Sequence, residues 1–189
     1  MKENFKLYLY GTFVCNFTLG FTAASVALAA LKSVSKDQYL LIGILIMACG
    51  AIAQAFLKGK VLNDLALRNG VQILSLEILA MVSLDLYAAA TGDLFTHWLA
   101  GGIIASFTAG VSRSAWEHLK SQVEQDLRPS LEMGTGSASQ FGTAIGLSGA
   151  LLLSLYFGWT MDTRYALVTM SLLCSAKPLS LIYYMRKYR

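Results

Sequence analysis

Three ionisable side chains interrupt apolar stretches of the sequence and are its first candidates for chemistry. Glu77 and Asp85 stand in the stretch 71–90, and Lys177 stands in the stretch 165–185. An ionised side chain at the centre of a bilayer costs about 2.5–3.5 kcal/mol on insertion scales, so each needs a partner or water. A structural ion pair meets that need, and so does a proton-relay or substrate-binding site.

We predict that Glu77 and Lys177 form an ion pair between two helices. At 1.5 Å of rise per residue, both lie about 10–12 Å from the same membrane face. Asp85 lies about 12 Å further out and about 80° round the helix from Glu77, where Arg164 or His97 would be its neighbour at the outer water. The alternative is that Glu77 or Asp85 couples to protons or binds substrate.

Six apolar runs must position these side chains. A helix needs about 20 residues to cross about 30 Å of hydrocarbon, and the chain is 56% hydrophobic and only 14% charged. We therefore predict an all-α polytopic membrane protein with one domain of six transmembrane helices, rather than a soluble helical core. The first run is too long for a signal-peptide core and should remain as the first helix. The runs are 7–31, 39–57, 71–90, 94–112, 141–159 and 165–185.

The distribution of Lys and Arg predicts the orientation. Six crossings place both termini on the same side of the membrane. Of the 15 Lys and Arg residues, 12 fall on that side or in the adjoining half of the membrane. Lys and Arg are held back during insertion, so both termini should be cytoplasmic in an integral plasma (inner) membrane protein. The pI near 9.0 then reflects topology, and no nucleic-acid partner is expected.

The longest predicted cytoplasmic loop covers 113–140. Within it, Trp116, Leu119, Val123 and Leu127 recur at helical spacing, which predicts a short amphipathic helix at the membrane surface or an extension of the fourth span. Pro129 should end that helix. A connector with a solvated face is favoured over a docking site.

Polar and small residues inside the runs give further candidates. Asn16, Gln54 and Gln140 would line a polar cavity or form hydrogen bonds between helices. Gly142, Gly146 and Gly149, and the small residues of 100–110, predict close helix packing. Three cysteines are interpreted as small core residues, because none forms a Cys-x-x-Cys pair. We expect no metal site, cofactor or enzyme activity, since no hydrolase, zinc or phosphate-loop motif is present. The cysteines are Cys15, Cys49 and Cys174.

The chain resembles one half of a major facilitator superfamily transporter. The stretch "KENFKLYLYGTFVCNFTLGF" is similar to the family's first helix, and "RPSLEMGTGSASQFGTAIGLSGALLL" is similar to its passage from helix four to five. The family's loop motif after helix two reads roughly Gly-x-x-x-Asp-Arg-x-Gly-Arg-Arg. Here Gly59, Asp64, Arg68 and Gly70 approximate it with altered spacing. The helix-four Arg-x-x-Gln-Gly motif and the proline of the helix-five motif are absent.

The resemblance implies a half-size secondary transporter built from two three-helix repeats. In the family, two such halves enclose the substrate near the membrane midplane. One half has nothing to alternate against, so the expected partners are the lipid bilayer and a second copy of the chain or another half-transporter chain. The substrate would be small or amphipathic, with possible proton coupling. The alternative is a non-transporting accessory, assembly or immunity protein on the same half-fold.

Overall fold

The computed structural model of the protein describes residues 5–33, 35–57, 60–123, 125–158 and 161–188. Within these ranges it leaves out the side-chain surroundings of 24, 27–33, 39, 53–57, 60–63, 65–67 and 126. All the regular structure in the described residues is helical, which confirms the all-α class. The helices are α1 (Lys6–Ser33), α2 (Lys36–Leu57), α3 (Lys60–Thr91), α4 (Leu94–Ser121), α5 (Arg128–Phe157), α6 (Thr163–Leu173) and α7 (Ala176–Lys187), with a 3₁₀ turn at Gln125–Leu127.

Four stretches within the described residues are long and apolar enough to span a membrane. Their mean hydropathy lies between 1.4 and 1.7, and each exceeds the roughly 20 residues that a crossing requires. The last of them runs through α6, the break after it, and α7. Their length and composition fit an all-α integral membrane protein. The stretches are Arg68–Thr91, Leu94–Ser121, Arg128–Phe157 and Thr163–Lys187.

Local sequence signals set the helix ends. The Asp93 carboxylate accepts a hydrogen bond from the Thr96 N–H at 3.0 Å and so begins α4; hydrogen bonds from the Thr96 side chain and backbone hold the pKa of Asp93 below its usual range. Asp162 begins α6 in the same way, accepting from the Arg164 N–H at 2.8 Å. Gly158 ends α5 with a φ of 61°, a left-handed conformation that glycine adopts without strain.

The predicted cytoplasmic connection over 113–140 is mostly helical, since α4 continues to Ser121 and α5 already begins at Arg128. Of the two forms considered there, the extension of the fourth helix is the one observed. Pro129 lies in the first turn of α5, where its missing N–H has no helical partner to lose. α3 begins at Lys60, eleven residues before the third apolar run at 71–90.

The helices form an alternating bundle with an internal two-fold pattern. α1 packs parallel to α5 and α2 packs parallel to α4, whereas α3 packs antiparallel to α4, and α6 and α7 pack antiparallel to α1. α1 corresponds to α4, α2 to α5, and α3 to the α6–α7 pair. Under this exchange the α1–α5 contact corresponds to the α2–α4 contact, and the α3–α4 contact corresponds to the contact of α1 with α6 and α7. α3 faces α6 and α7 across the centre. The corresponding helices run in opposite directions.

Two apolar clusters close the two ends of the bundle. At the end that holds the first and last described residues, Tyr8 stacks on Trp116 with ring centroids 4.3 Å apart, and Phe5 meets Trp116 edge-on at 5.5 Å. We call this the terminal cap. At the other end, Val26, Ala88, Leu94, Ala166 and Leu167 form the distal cap.

Glycine brings α1 and α5 into backbone contact, as the spacing of Gly142 and Gly146 predicts. A Cβ placed on Gly142 would lie 2.7 Å from the Phe13 carbonyl oxygen and 3.1 Å from the Phe17 nitrogen. Such distances leave no room for a methyl group without moving the α1 backbone. This seam fixes α1, and with it one wall of the bundle interior.

Gly142→Ala should therefore destabilise the protein by about 1–3 kcal/mol, the usual cost of overpacking a close contact. Gly136→Ala is the matched control, because it lies on the same helix and a Cβ there meets no atom within 4 Å. Unfolding in mild detergent, followed by helical circular dichroism, measures both variants. Equal stability of the two variants would contradict the close α1–α5 contact.

Candidate functional site

An interior cavity of about 530 Å³ lies between the two caps. Its walls come from α1, α3, α4, α6 and α7, and so from both three-helix halves. Apolar side chains form most of the surface, which is the usual composition of a site for a small molecule. The polar and sulfur-containing wall residues are Tyr8, Cys15, Glu77, Met81, Asp85, Ser112, Arg113, Met170, Ser171, Cys174, Ser175 and Lys177.

Two acids and two bases face this cavity. Glu77 and Asp85 come from α3, Arg113 from α4 and Lys177 from α7. Charged groups inside a membrane bundle are rare and expensive, and they mark pathways for ions, protons or substrates. The arrangement therefore concentrates the ionisable chemistry of the bundle at the contact between its halves.

Asp85 is bound to His97 across the α3–α4 hairpin. The His97 Nε2 and Asp85 Oδ1 atoms are 2.7 Å apart, and the side chains are only 7% and 4% exposed. Of the two neighbours considered for Asp85, His97 is therefore the one in contact, but the pair is buried rather than facing outer water. The second ring nitrogen, Nδ1, is buried and has no hydrogen-bond partner among the described residues. Such a pair can hold one proton between its members and pass another through the free nitrogen.

Glu77 lines the cavity, and one of its two carboxyl oxygens accepts no hydrogen bond from the described residues. Its Oε2 atom is buried and has no hydrogen-bond partner in the described part of the chain. Lys177 lies on the same cavity wall, but the ion pairs among described residues do not include a direct Glu77–Lys177 contact. The matching depth of the two residues thus brings them to one cavity, with space between them. A carboxyl group placed in this way can take up and release a proton.

The wall opposite α3 contains a break in a helix. α6 ends at Leu173 and α7 begins at Ala176, because Pro178 has no N–H to donate to the carbonyl group of Cys174, four residues earlier. Cys174, Ser175, Lys177 and Pro178 all line the cavity. Discontinuous helices at an interior site are a recurrent feature of secondary transporters, in which freed backbone groups meet the substrate or coupling ion.

The remaining candidates lie away from the cavity wall. Asn16 donates a hydrogen bond to the Thr12 carbonyl oxygen of its own helix at 2.8 Å, beside the α1–α5 seam. Gln140 is exposed on the outer face of α5. The side-chain surroundings of Gln54 lie outside the described residues.

The described residues that resemble a family loop motif, Asp64, Arg68 and Gly70, lie in α3 and form no loop. Asp64 and Arg68 are exposed on the first turns of α3. Gly70, in the same helix, is buried beside Val111 of α4. Gly59 lies outside the described residues. The motif-like residues therefore occupy a helix surface near the terminal cap, and the structure does not bring them to the cavity.

Sequence reasoning missed three contributors to the site: Arg113, the Tyr8–Trp116 cap and the break after Leu173. The proline at 178 was the available signal for the break. His97 was considered only as a neighbour at an outer surface, although Gly92 lies seven residues after Asp85 and five residues before His97, so a turn there brings the two side chains opposite each other across a hairpin.

No group of three or more His, Cys, Asp or Glu residues in the described ranges is arranged to hold a metal ion. Comparison of the chain with protein-family models, with curated proteins and with solved structures finds no match.

The Asp85–His97 contact can be tested by a double-mutant cycle. Asp85→Ala or His97→Ala alone should each cost about 3–5 kcal/mol, because each leaves a buried polar partner unpaired. The double variant should cost clearly less than the sum. Glu117→Gln is the control: Glu117 is 56% exposed in its pair with Lys120, so its loss should cost at most about 1 kcal/mol.

The unmodified protein, the two single variants, the double variant and the control are compared by unfolding with dodecyl sulfate in mixed micelles. Strictly additive effects of Asp85→Ala and His97→Ala would show that the two side chains do not interact.

Proposed function

We propose that the chain is a half-size secondary transporter that acts as a pair of six-helix bundles. The observation that carries this proposal is the charged interior cavity at the contact between two inverted three-helix halves, bounded on one side by a discontinuous helix. Secondary transporters place the substrate and coupling ion at this kind of position, near the membrane midplane.

The resemblance to one half of a major facilitator superfamily transporter supports the same proposal. It accounts for six crossings by α1 to α5 and the α6–α7 pair, for both termini in the cytoplasm, and for residence in the plasma (inner) membrane. The excess of Lys and Arg on the side of the termini supports this orientation. The exchange symmetry of the helix contacts is the pattern that two three-helix repeats produce.

The two caps supply a mechanism. The Tyr8–Trp116 contact and the distal cap lie at opposite ends of the bundle, and they are the proposed gates of the cavity. Opening one cap at a time would expose the cavity to one side of the membrane and then to the other. Packed apolar clusters suit this role because they have discrete open and closed arrangements.

Glu77 is the proposed proton-coupling group, because the residue lines the cavity and its buried Oε2 atom has no hydrogen-bond partner among the described residues. Proton uptake there would remove a negative charge next to Lys177 and change the balance of charge on the cavity wall. The ionisable groups that share this environment are Asp85, with its partner His97, Arg113, Lys177, Tyr8, Cys15 and Cys174.

The outer face of α5 is the proposed contact with a second copy. Ser137, Gln140, Ala144 and Ser148 recur there at helical spacing, and all four are exposed. Small residues allow close approach of helices in a membrane, and polar side chains form hydrogen bonds between them. Gln140 would otherwise face lipid, so a second bundle gives its amide a partner and places it at a shared interface.

Alternating exposure of the cavity can be measured with the native cysteines. In a Cys49→Ser protein, a membrane-impermeant thiosulfonate should label Cys15 and Cys174 from both sides of oriented vesicles. Tyr8→Ala weakens the terminal cap, so it should speed labelling from the terminal side and slow it from the other. Tyr10→Ala is the control, because Tyr10 lies on the same helix and is 67% exposed. Glu77→Gln should remove the effect of pH on this balance.

Labelling from one side only in every variant would overturn the transporter proposal and favour a non-transporting accessory, assembly or immunity protein with a fixed pocket. Labelling from neither side would do the same. An unchanged pH response in Glu77→Gln would remove Glu77 as the coupling group and leave alternating access in place.

The mass of the purified protein particle tests whether two six-helix bundles associate. Released from its membrane in a lipid-preserving polymer, the protein should contain two copies of the chain, measured by native mass spectrometry. Gln140→Leu with Ser137→Leu should give monomers, since both changes remove polar contacts at the proposed interface. A monomer in the unmodified protein would count against transport by a pair, and a different co-purifying chain would identify another half.

A further inference from the structure

Two cysteines from distant parts of the chain meet in the cavity wall. Cys174 Sγ lies 3.9 Å from the carbonyl oxygen of Cys15, across 159 residues of sequence, and both residues line the same cavity. Both are free thiols and partly buried. Since α1 supplies one and the α6–α7 break supplies the other, helix packing alone brings them together.

Further sulfur atoms face the same space. Met81 of α3 and Met170 of α6 line the cavity together with Cys15 and Cys174. Thiolate and thioether sulfur are the ligands that soft ions such as monovalent copper prefer. A soft monovalent ion needs only two thiolates in a line. The described residues offer no cluster of three or more His, Cys, Asp or Glu side chains for an ion that needs a larger set.

We propose that Cys15 and Cys174 form a two-coordinate site for a thiophilic monovalent metal ion, either copper(I) or silver(I). Each thiol loses its proton to water, each sulfur forms one bond to the ion, and no electron is transferred. The resulting complex carries one net negative charge. This site departs from the sequence interpretation of the cysteines as small core residues.

The cavity supplies what such a complex needs. Lys177 lies three residues after Cys174 and faces the same space, so its positive charge offsets the charge of the bis-thiolate complex in a medium of low dielectric constant. Most of the cavity surface is apolar. Cys49 lies on α2 and is not part of the cavity wall, so the chain contains its own control thiol.

This inference goes beyond the proposed transport function and does not rest on it, because binding is measured on the purified protein at equilibrium. Silver(I) is the first probe, since it does not oxidise thiols, and copper(I) under anaerobic conditions is the second. The reduced protein in detergent receives silver nitrate in chloride-free buffer, is desalted against a weak thioether competitor, and is analysed for silver by mass spectrometry.

The unmodified protein and Cys49→Ser should each keep one silver ion per chain. Cys15→Ser and Cys174→Ser should each lower the affinity by more than about 100-fold, because even changes next to a ligand cost about 10–100-fold. Size-exclusion elution reports whether each variant is folded. Protection from maleimide adds a measurement without any variant: bound silver should shield Cys15 and Cys174 together but leave Cys49 reactive.

Three results would overturn the proposal. One is unchanged silver retention in both Cys15→Ser and Cys174→Ser. Another is loss of one ion with each cysteine removed, Cys49 included, which indicates three independent thiols. The last, which applies even if the variants fail to fold, is shielding of Cys49 equal to that of the other two. None of these results depends on whether the cavity opens alternately.

Discussion

The arrangement of the interior depends on the contact between Asp85 and His97. A carboxylate inside an apolar bundle requires a partner, and at 2.7 Å the imidazole satisfies it without water. That contact fixes the register of the α3–α4 hairpin, which in turn determines where α3 presents Glu77 and where α4 presents Arg113. Because Asp85 already has a hydrogen-bond partner within its own hairpin, Glu77 is the acid on the cavity wall that has a buried oxygen without a partner among the described residues.

Neutralisation of charge and exclusion of water are achieved by different parts of the bundle. The terminal and distal caps are apolar and lie where the helices converge, whereas every charge on the cavity wall lies between them. In the proposed transporter, apolar packing would control access and ionisable groups would determine what the cavity favours. The sulfur atoms of the wall would add a third property, since sulfur ligands favour soft ions. A site of this kind can distinguish ions of equal charge by the ligands that they prefer.

The sequence predicted best those features that helix geometry alone determines. A rise of 1.5 Å per residue brought Glu77 and Lys177 to one depth, and glycine spacing indicated the seam at Gly142, because both follow from the helix itself. Features that depend on tertiary packing were missed. Periodicity could not show that Gln140 faces outward, and charged residues near Asp64 suggested a loop although a helix surface accommodates them equally well. The apolar run at the end of the chain concealed its break, because hydropathy does not register the hydrogen bond that Pro178 removes.

The break after Leu173 makes the two halves of the bundle unequal. The counterpart of the α6–α7 pair is α3, which runs unbroken for 32 residues. An uninterrupted helix of that length behaves as a stiff strut of roughly 50 Å, while a helix missing a hydrogen bond at its centre can bend there. The bundle therefore pairs one continuous helix with one that lacks a hydrogen bond near its centre, and bending would be expected first at Cys174 and Ser175. Two halves whose helix contacts correspond would then differ in stiffness.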